Sequence, residues 1–560
     1  MGNLQVLDCT LRDGGYCNQW NFGKLNIGRI MDSLSDAGID IIECGFLKEG
    51  SDADESMTIF SSPHEVNQFI PSSHQNMYVA MMNYGEYEVE NLERHGEGVR
   101  LNGIRLVFHK KDIKGAIEAG RKIQEKGYLL FLQPMVSVSY TDEEFLALIG
   151  EANELMPYAF YIVDSFGAMK RKDMIRLFYM VEHNLSTDIS IGFHSHNNMQ
   201  LAFSNAQVLV DIRTKHNLII DSCVYGMGRG AGNLNTEIFV EYLNDNIGSE
   251  YRVKPLLTVI DEVLDSFYQR NYWGFSLPNY LSAAHNTHPN YAGYLNDKHT
   301  LTVEEMNDIF DMMEDDKRVY YDRKYIEDLY LRYLSRGEAL EGRKSEFVSL
   351  VKGKDVLLIA PGKSSTDESD RIARFSERKG VITVSINFDY SYCETDYIFI
   401  SNLRRFKELD KEKYGKCIVT SNISADRIFL QTDYKELLND HEMVQDNAGL
   451  MAVRFLMNCG VRKICLAGID GYSHDASKNF GDSRLAFITR AAVLDEMNVG
   501  ITSILNEYAK EIDIEFLTEQ RYVRLEKNRY RSGVNYTATD RITDRRDEMK
   551  QTSVLGGVLQ

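Results

Sequence analysis

Eight short, mainly apolar runs alternate with charged stretches of helical period through the first half of the chain, and few folds accept that order. QVLD (5–8), IDIIECG (39–45), MYVAMM (77–82), GIRLVF (103–108), YLLFLQP (128–134), FYIVD (160–164), ISIGFH (189–194) and LIIDSCV (218–224) read as strands. Runs this apolar are what parallel strands covered on both faces require. Between them, 24–37, 111–126, 142–155 and 170–183 have the rhythm of amphipathic helices. Eight strand–helix units within about 250 residues match the usual span of a (β/α)8 barrel. A doubly wound open sheet also alternates, but eight regular units favour closure, so an α/β barrel is expected over 1–255.

From 256 to 349 the strand signal vanishes; 301–315 and 323–335 read as helices, so a helical extension is expected there. A second α/β pattern runs from 350 to 527, with strands at 355–360, 381–387, 396–401, 416–421, 427–431 and 463–470. Helices are expected at 367–378, 447–459 and 483–511, giving an open, Rossmann-like sheet. The last stretch, 528–560, mixes Arg and Asp and reads as a polar, flexible tail.

At 560 residues the chain exceeds one hydrophobic core. Its formal charge of −20 argues against nucleic acid and against an anionic membrane surface. No signal-peptide pattern and no bilayer-length apolar run is present, and the eight cysteines form no C-x-x-C pair. Reduced thiols in a cytoplasmic protein are expected.

Catalytic groups of such barrels sit at the C-terminal ends of strands. The first strand leads into Asp8, Thr10, Arg12 and Asp13, the second ends near Glu43, the fourth carries Arg105, and the seventh ends in His194-Ser-His196. Residues two apart on a strand point the same way, so both imidazoles can face one ion. With a carboxylate from the first strand, the set suits Mn²⁺, Mg²⁺, Co²⁺ or Fe²⁺ better than a closed zinc site. Arg12 is placed to stabilise a developing enolate, or to pair with Glu43 or Asp8. The glycine-rich GMGRGAG (226–232) can cradle phosphate or pack over the metal.

LDCTLRDGG (7–15), GFHSHNN (192–198) and GMGRGAGNLNTE (226–237), in that order, resemble the metal-dependent aldolase and lyase barrel superfamily of 4-hydroxy-2-oxovalerate aldolase and hydroxymethylglutaryl-CoA lyase. VDSFGAM (163–169) is similar to the sixth-strand signature of the hydroxyoxovalerate aldolases. By matching position, the resemblance implies Asp13, His194, His196 and Asn233 as metal ligands and Arg12 as the enolate's cation. Glu43 and Arg105 fall at recurring active-site positions. The implied reaction is a class II aldol addition or cleavage between a 2-oxo acid and an aldehyde, with Mn²⁺ the expected ion and Mg²⁺ or Co²⁺ as substitutes. Pairing of two barrels into a homodimer is a further expectation from the family.

The family's histidine shortly after LRDG is absent, since this chain reads GGYCNQWNFG (14–23). His285, His288 and Tyr291 in the helical extension are the candidates for proton transfer, or a water serves. A Claisen-type synthase joining acetyl-CoA to a 2-oxo acid is the alternative, ranked lower because the Glu-Gln usual after LRDG is missing.

In the second half, APGKSS (360–365) is no P-loop, because Leu357 stands where the first glycine belongs. Its turn can still offer backbone N–H groups to phosphate. NCGVRKICLAGIDGYSHD (458–475) resembles a segment of bacterial sialyltransferase-like domains, implying Asp470, Tyr472 and His474 as site residues. A nucleotide or nucleotide sugar is the expected ligand, which would place the chain in surface-polysaccharide or nucleotide-sugar metabolism, or make it bifunctional with a transferase.

Overall fold

The computed structural model describes residues 3–50, 54–71, 76–337, 343–482 and 491–525. It divides into two compact units: 1–298 with 303–329, and 299–302 with 330–560.

The first unit is built on a closed parallel barrel. Its strands are β1 (Leu4–Asp8), β2 (Ile41–Leu47), β3 (Met77–Asn83), β4 (Gly103–Phe108), β5 (Leu129–Pro134), β6 (Ala159–Asp164), β7 (Ser190–Ser195) and β8 (Leu218–Ser222). Each pairs with the next, and β1 closes the ring by pairing with both β8 (Leu4↔Leu218) and β2 (Leu7↔Ile41). Side chains alternate across each strand. Leu7, Ile41, Val79, Phe131 and Ile219 fill the barrel interior. Their neighbours Val6, Ile42, Ala80, Leu130 and Ile220 pack outward beneath the helices. Both sets are buried, which is why the strands read as unbroken apolar runs.

The helices of the barrel obey local rules. Lys24–Ala37 stops at Gly38, whose φ of 81° lets its N–H reach back to Leu34 O. Asp142–Leu155 starts on a capping box between Thr141 and Glu144. In β2 the register shifts between Glu43 and Phe46, where a two-residue strand, Ile59–Phe60, joins the edge. Gly45 sits in that shift at φ 150°, and a Cβ there would lie 2.1 Å from Thr58 O, so only glycine fits.

After the barrel come the helices Leu277–Ala284, Pro289–Asp297 and Val303–Asp311, which belong to the first unit. The division between units falls inside Arg323–Leu334, and Lys344–Val351 goes with the second.

The second unit holds a seven-stranded parallel sheet. Its strands are β9 (Asp355–Ile359), β10 (Ile382–Ile386), β11 (Tyr397–Ile400), β12 (Cys417–Thr420), β13 (Leu430–Thr432), β14 (Lys463–Ala467) and β15 (Asp513–Phe516). Their order is β13-β12-β11-β10-β9-β14-β15, so the sheet grows outward in both directions from the β9–β14 pair. β15 was not among the expected strands: at four residues, with Asp513 and Glu515 alternating with apolar neighbours, it carries a short edge-strand pattern. Part of the helix expected at 483–511 lies outside the described residues, which show it over Ala491–Tyr508. The expected tail at 528–560 also lies outside them. Among the described residues no helix is long and apolar enough to cross a membrane.

Candidate metal centre

Thr10–Asp13 forms a single helical turn directly after β1, and this turn lifts Asp13 to the barrel mouth. His194 is the penultimate residue of β7, and His196 follows it in a bridge to Asn233 from the loop after β8. Asp13 Oδ2 lies 3.4 Å from His194 Nε2 and 3.6 Å from His196 Nε2. One ligand atom from each of the three falls within 4.8 Å of the others. Neither oxygen of Asp13 has a hydrogen-bond partner, nor does Asn233 Oδ1, and all are buried. Buried acceptors left bare are costly, so these four residues fit a cation, and they would hold it.

The charges at the site pull in different directions: burial lowers the His194 pKa, but Asp13 and Asp221 raise it well above the ordinary imidazole value, so an ion would have to displace that proton. Burial opposes charge on Asp13, but Arg12 and the two imidazoles hold its pKa well below the ordinary carboxylate range. His196 is pushed down to about 3, first by burial, against the pull of Asp13 and with the help of His194, Arg229 and Arg12, so its ring is neutral and able to ligate.

Beneath the site runs a chain of buried charges. Arg12 Nε donates to Glu43 Oε2 at 2.8 Å, and Arg105 Nη1 lies 2.7 Å from the same oxygen. Arg105 Nη2 pairs with Asp221, which accepts from Tyr161 OH at 3.0 Å and lies 2.9 Å from His194 Nδ1. Arg105 is fully buried and stacks over the Tyr161 ring at 5.0 Å. The structure therefore places Glu43 and Arg105 below the ligands. Arg12 keeps one buried group, Nη2, without a partner.

Asp221 was not singled out in the sequence, although its signal was there: a carboxylate inside the apolar strand LIIDS demands a partner. By binding Nδ1 it reserves His194 Nε2 for the ion. Asp221→Asn is expected to weaken Mn²⁺ binding roughly 10- to 100-fold, read by chelator competition on folded protein; unchanged affinity removes this role. Asp164, from the sixth-strand signature, is occupied as a turn clamp, accepting from the N–H groups of Ala168 and Met169.

The three candidates for proton transfer part company. His285 stacks on Phe310 at 5.4 Å, and its Nε2 lies 3.0 Å from Asn307 Oδ1. Tyr291 is fully buried, its hydroxyl 2.6 Å from Tyr320 O and accepting from the Asp322 N–H at 3.0 Å. The structure brings neither to the metal ligands; both serve contacts between helices and loops of the extension. Tyr291→Phe is expected to cost about 1–3 kcal/mol of stability, seen as a lower thermal midpoint. Loss of turnover in the folded variant would return Tyr291 to the catalytic candidates. Of the three, His288 alone reaches the barrel side, its ring meeting that of Phe166, which follows β6, edge-on with centroids 5.8 Å apart. Its Nδ1 accepts from the Asn290 N–H at 3.2 Å. Burial, then Arg229 and His109, push its pKa down to about 3, so the neutral ring carries its proton on Nε2.

In the second unit, Asp470 overturns the expectation of an open phosphate cradle after β9. Its carboxylate accepts from Ser364 N–H at 2.7 Å and from Ser364 Oγ, so the turn's donor is already taken. Tyr472 N–H donates to Asn498 Oδ1 at 2.7 Å, and His474 pairs with Asp495 at 2.9 Å in an exposed contact.

Comparison with known proteins falls on the first half. Residues 3–259 match the family model described as HMGL-like. A 4-hydroxy-2-oxovalerate aldolase of Geobacillus genomosp. 3 is 27% identical over 249 residues, covering 43% of this chain and 70% of that protein. An oxaloacetate decarboxylase of Mycobacterium tuberculosis is 27% identical over 243 residues, covering 42% of this chain and 69% of that protein. Among solved structures, the HMG-CoA lyase of Brucella melitensis is 16% identical with a TM-score of 0.38, covering 48% of this chain and 99% of that one.

Proposed function

We propose that this chain, whose residues 3–259 match the HMGL-like family model, is a divalent-metal aldolase joining or parting a 2-oxo acid enolate and an aldehyde. The observation that carries this reading is the pair of bare Asp13 oxygens and the bare Asn233 Oδ1 beside two imidazole Nε2 atoms. Two nitrogens and two oxygens with room for substrate suit Mn²⁺, with Mg²⁺ or Co²⁺ as substitutes. When bound, such an ion supplies Lewis acidity to the keto and carboxylate oxygens of the 2-oxo acid.

The residues of the chain do the rest. Arg12, fixed through Nε by Glu43, offers its unpartnered Nη2 to the negative charge that develops on the enolate oxygen. Glu43, Arg105 and Asp221 act as positioning residues, holding Arg12 and His194 in place. His288 is a neutral donor suited to an aldehyde oxygen; with Nδ1 engaged it is no base, so proton abstraction falls to a water. The relative named for 4-hydroxy-2-oxovalerate supports a pyruvate-type donor.

Mn²⁺-loaded protein is expected to exchange the methyl protons of pyruvate in D₂O, followed by NMR, with EDTA stopping exchange and Mn²⁺ restoring it. Absence of both exchange and aldol product, with aldehydes present, would sink the reading. A second reading, decarboxylation of oxaloacetate to the same enolate, rests on the second relative and is separated by carbon dioxide release. Release of CoA from acetyl-CoA would instead favour the synthase.

For the second unit we propose a nucleotide or nucleotide sugar at the C-terminal ends of β9 and β14, where the strand order reverses. It binds beside the first turn after β9, since Asp470 fills that turn. Calorimetric titration with CMP, UMP and their sugar conjugates tests this; no heat with any of them counts against it.

A further inference from the structure

Three arginines surround the metal ligands, and their charges are not equally spent. Arg12 is matched by Glu43 and Asp13, and Arg105 by Glu43 and Asp221. Arg229, in the loop after β8, pairs with no carboxylate among the described residues. Its guanidinium rests 5.4 Å over the Tyr16 ring, and its Nη2 donates to Ser165 O at 3.2 Å. Its Nε is buried and has no hydrogen-bond partner. These contacts set its guanidinium between Tyr16, which follows the Thr10–Asp13 turn, and Ser165, which follows β6.

The loop holds it there. Asn198 Oδ1 accepts from Ala231 N–H at 2.8 Å, and Asn197 N–H donates to Gly232 O at 2.8 Å. A Cβ on Gly230, at φ 69°, would lie 2.7 Å from Asn198 Oδ1, and one on Gly228 would lie 2.1 Å from Asn233 Nδ2. Arg229 is thus clamped between residues whose neighbours Asn233 and His196 are ligands. Arg229 is half-buried, and its bare Nε, with no carboxylate partner among the described residues, leaves the guanidinium open to an anion that arrives with the substrate. The carboxylate of the 2-oxo acid would share its charge with the ion and have one oxygen left over, too little to match the forked donors of a whole guanidinium. The remaining reactant is the aldehyde.

We propose that the aldehyde acceptor carries an anionic group, a carboxylate or a phosphate, and that Arg229 is the residue that selects it. This rests on the aldolase reading above. A bidentate or forked contact from the guanidinium matches either group, so the two sources are separated by experiment.

The test uses the full Mn²⁺-loaded chain with pyruvate and two matched pairs of acceptors: butanal against succinic semialdehyde, and D-glyceraldehyde against its 3-phosphate. One anionic member is expected to exceed its neutral partner in kcat/KM by roughly 10- to 100-fold, the worth of one charge-assisted hydrogen bond. Arg229→Gln should bring that ratio towards one, and Arg229→Lys should recover part of it. Equal rates within both pairs overturn the proposal. So does an Arg229→Gln variant that loses pyruvate exchange as fully as it loses the anionic acceptor, because Arg229 would then serve the 2-oxo acid. If pyruvate exchange is absent in the parent protein, the aldolase reading fails by itself. Calorimetric binding of glyceraldehyde 3-phosphate against glyceraldehyde, to the parent and to Arg229→Gln, then still decides whether Arg229 reads an anion.

Discussion

Asp13→Asn is expected to cut turnover with pyruvate by about a thousand-fold or more, with loss of bound Mn²⁺. The size follows from what the carboxylate alone supplies. Among the described residues it is the one carboxylate grouped with both imidazole Nε2 atoms, and its oxygens accept no hydrogen bond, Arg12 Nη1 lying 3.4 Å from Oδ2 as an ion pair. An amide keeps the shape but brings one neutral oxygen and an N–H₂ group that repels a cation. Several kcal/mol of charge stabilisation at the ion correspond to three or more decades in rate. Metal content by mass spectrometry and methyl exchange by NMR are read on the same sample. Retained metal with retained exchange would overturn the ligand assignment.

Glu43→Gln is the change expected to cost most stability. Glu43 is fully buried, and one of its oxygens meets both Arg12 and Arg105. Removing a partner from a buried ion pair costs about 3–5 kcal/mol, because the cation left behind has lost its water. Here two cations each lose one of their two carboxylates, Arg12 keeping Asp13 and Arg105 keeping Asp221. Trp20 and Trp273, the only two tryptophans, both lie in the first unit, so their fluorescence follows barrel unfolding apart from the second sheet. A urea midpoint that corresponds to less than about 1 kcal/mol of loss would show the pairing to be weaker than its burial suggests.

What the sequence disclosed follows from physics particular to each element. Parallel strands buried on both faces announce themselves: MYVAMM and GIRLVF are found where their apolar runs lie, at Met77–Asn83 and Gly103–Phe108. The strand Asp513–Phe516 did not, because acidic Asp513 and Glu515 break its apolar run and it is only four residues long. The grouping of Asp13, His194 and His196 was legible because the H-x-H spacing and LRDG are local signals. The contacts of Asp221 were not, since its partners Arg105, Tyr161 and His194 lie 116, 60 and 27 residues away. Tyr291 and His285 failed for the reverse reason: a polar side chain in a helical segment has no mark of which way it faces, and both face their own helices.

The closure of the barrel carries a consequence for when the protein can first become active during its synthesis. β1 leaves the ribosome early, yet its pairing partner β8 begins at Leu218, and Asn233, the proposed fourth ligand, follows later still. Until then Asp221 is absent, so His194 has nothing to hold its Nδ1 and the first strand has an unpaired edge. A nascent chain of 200 residues therefore carries Asp13, His194 and His196 without the frame that aligns them. Metal acquisition becomes a timer for completion, and a chain released short of β8 is expected to leave the ion in solution.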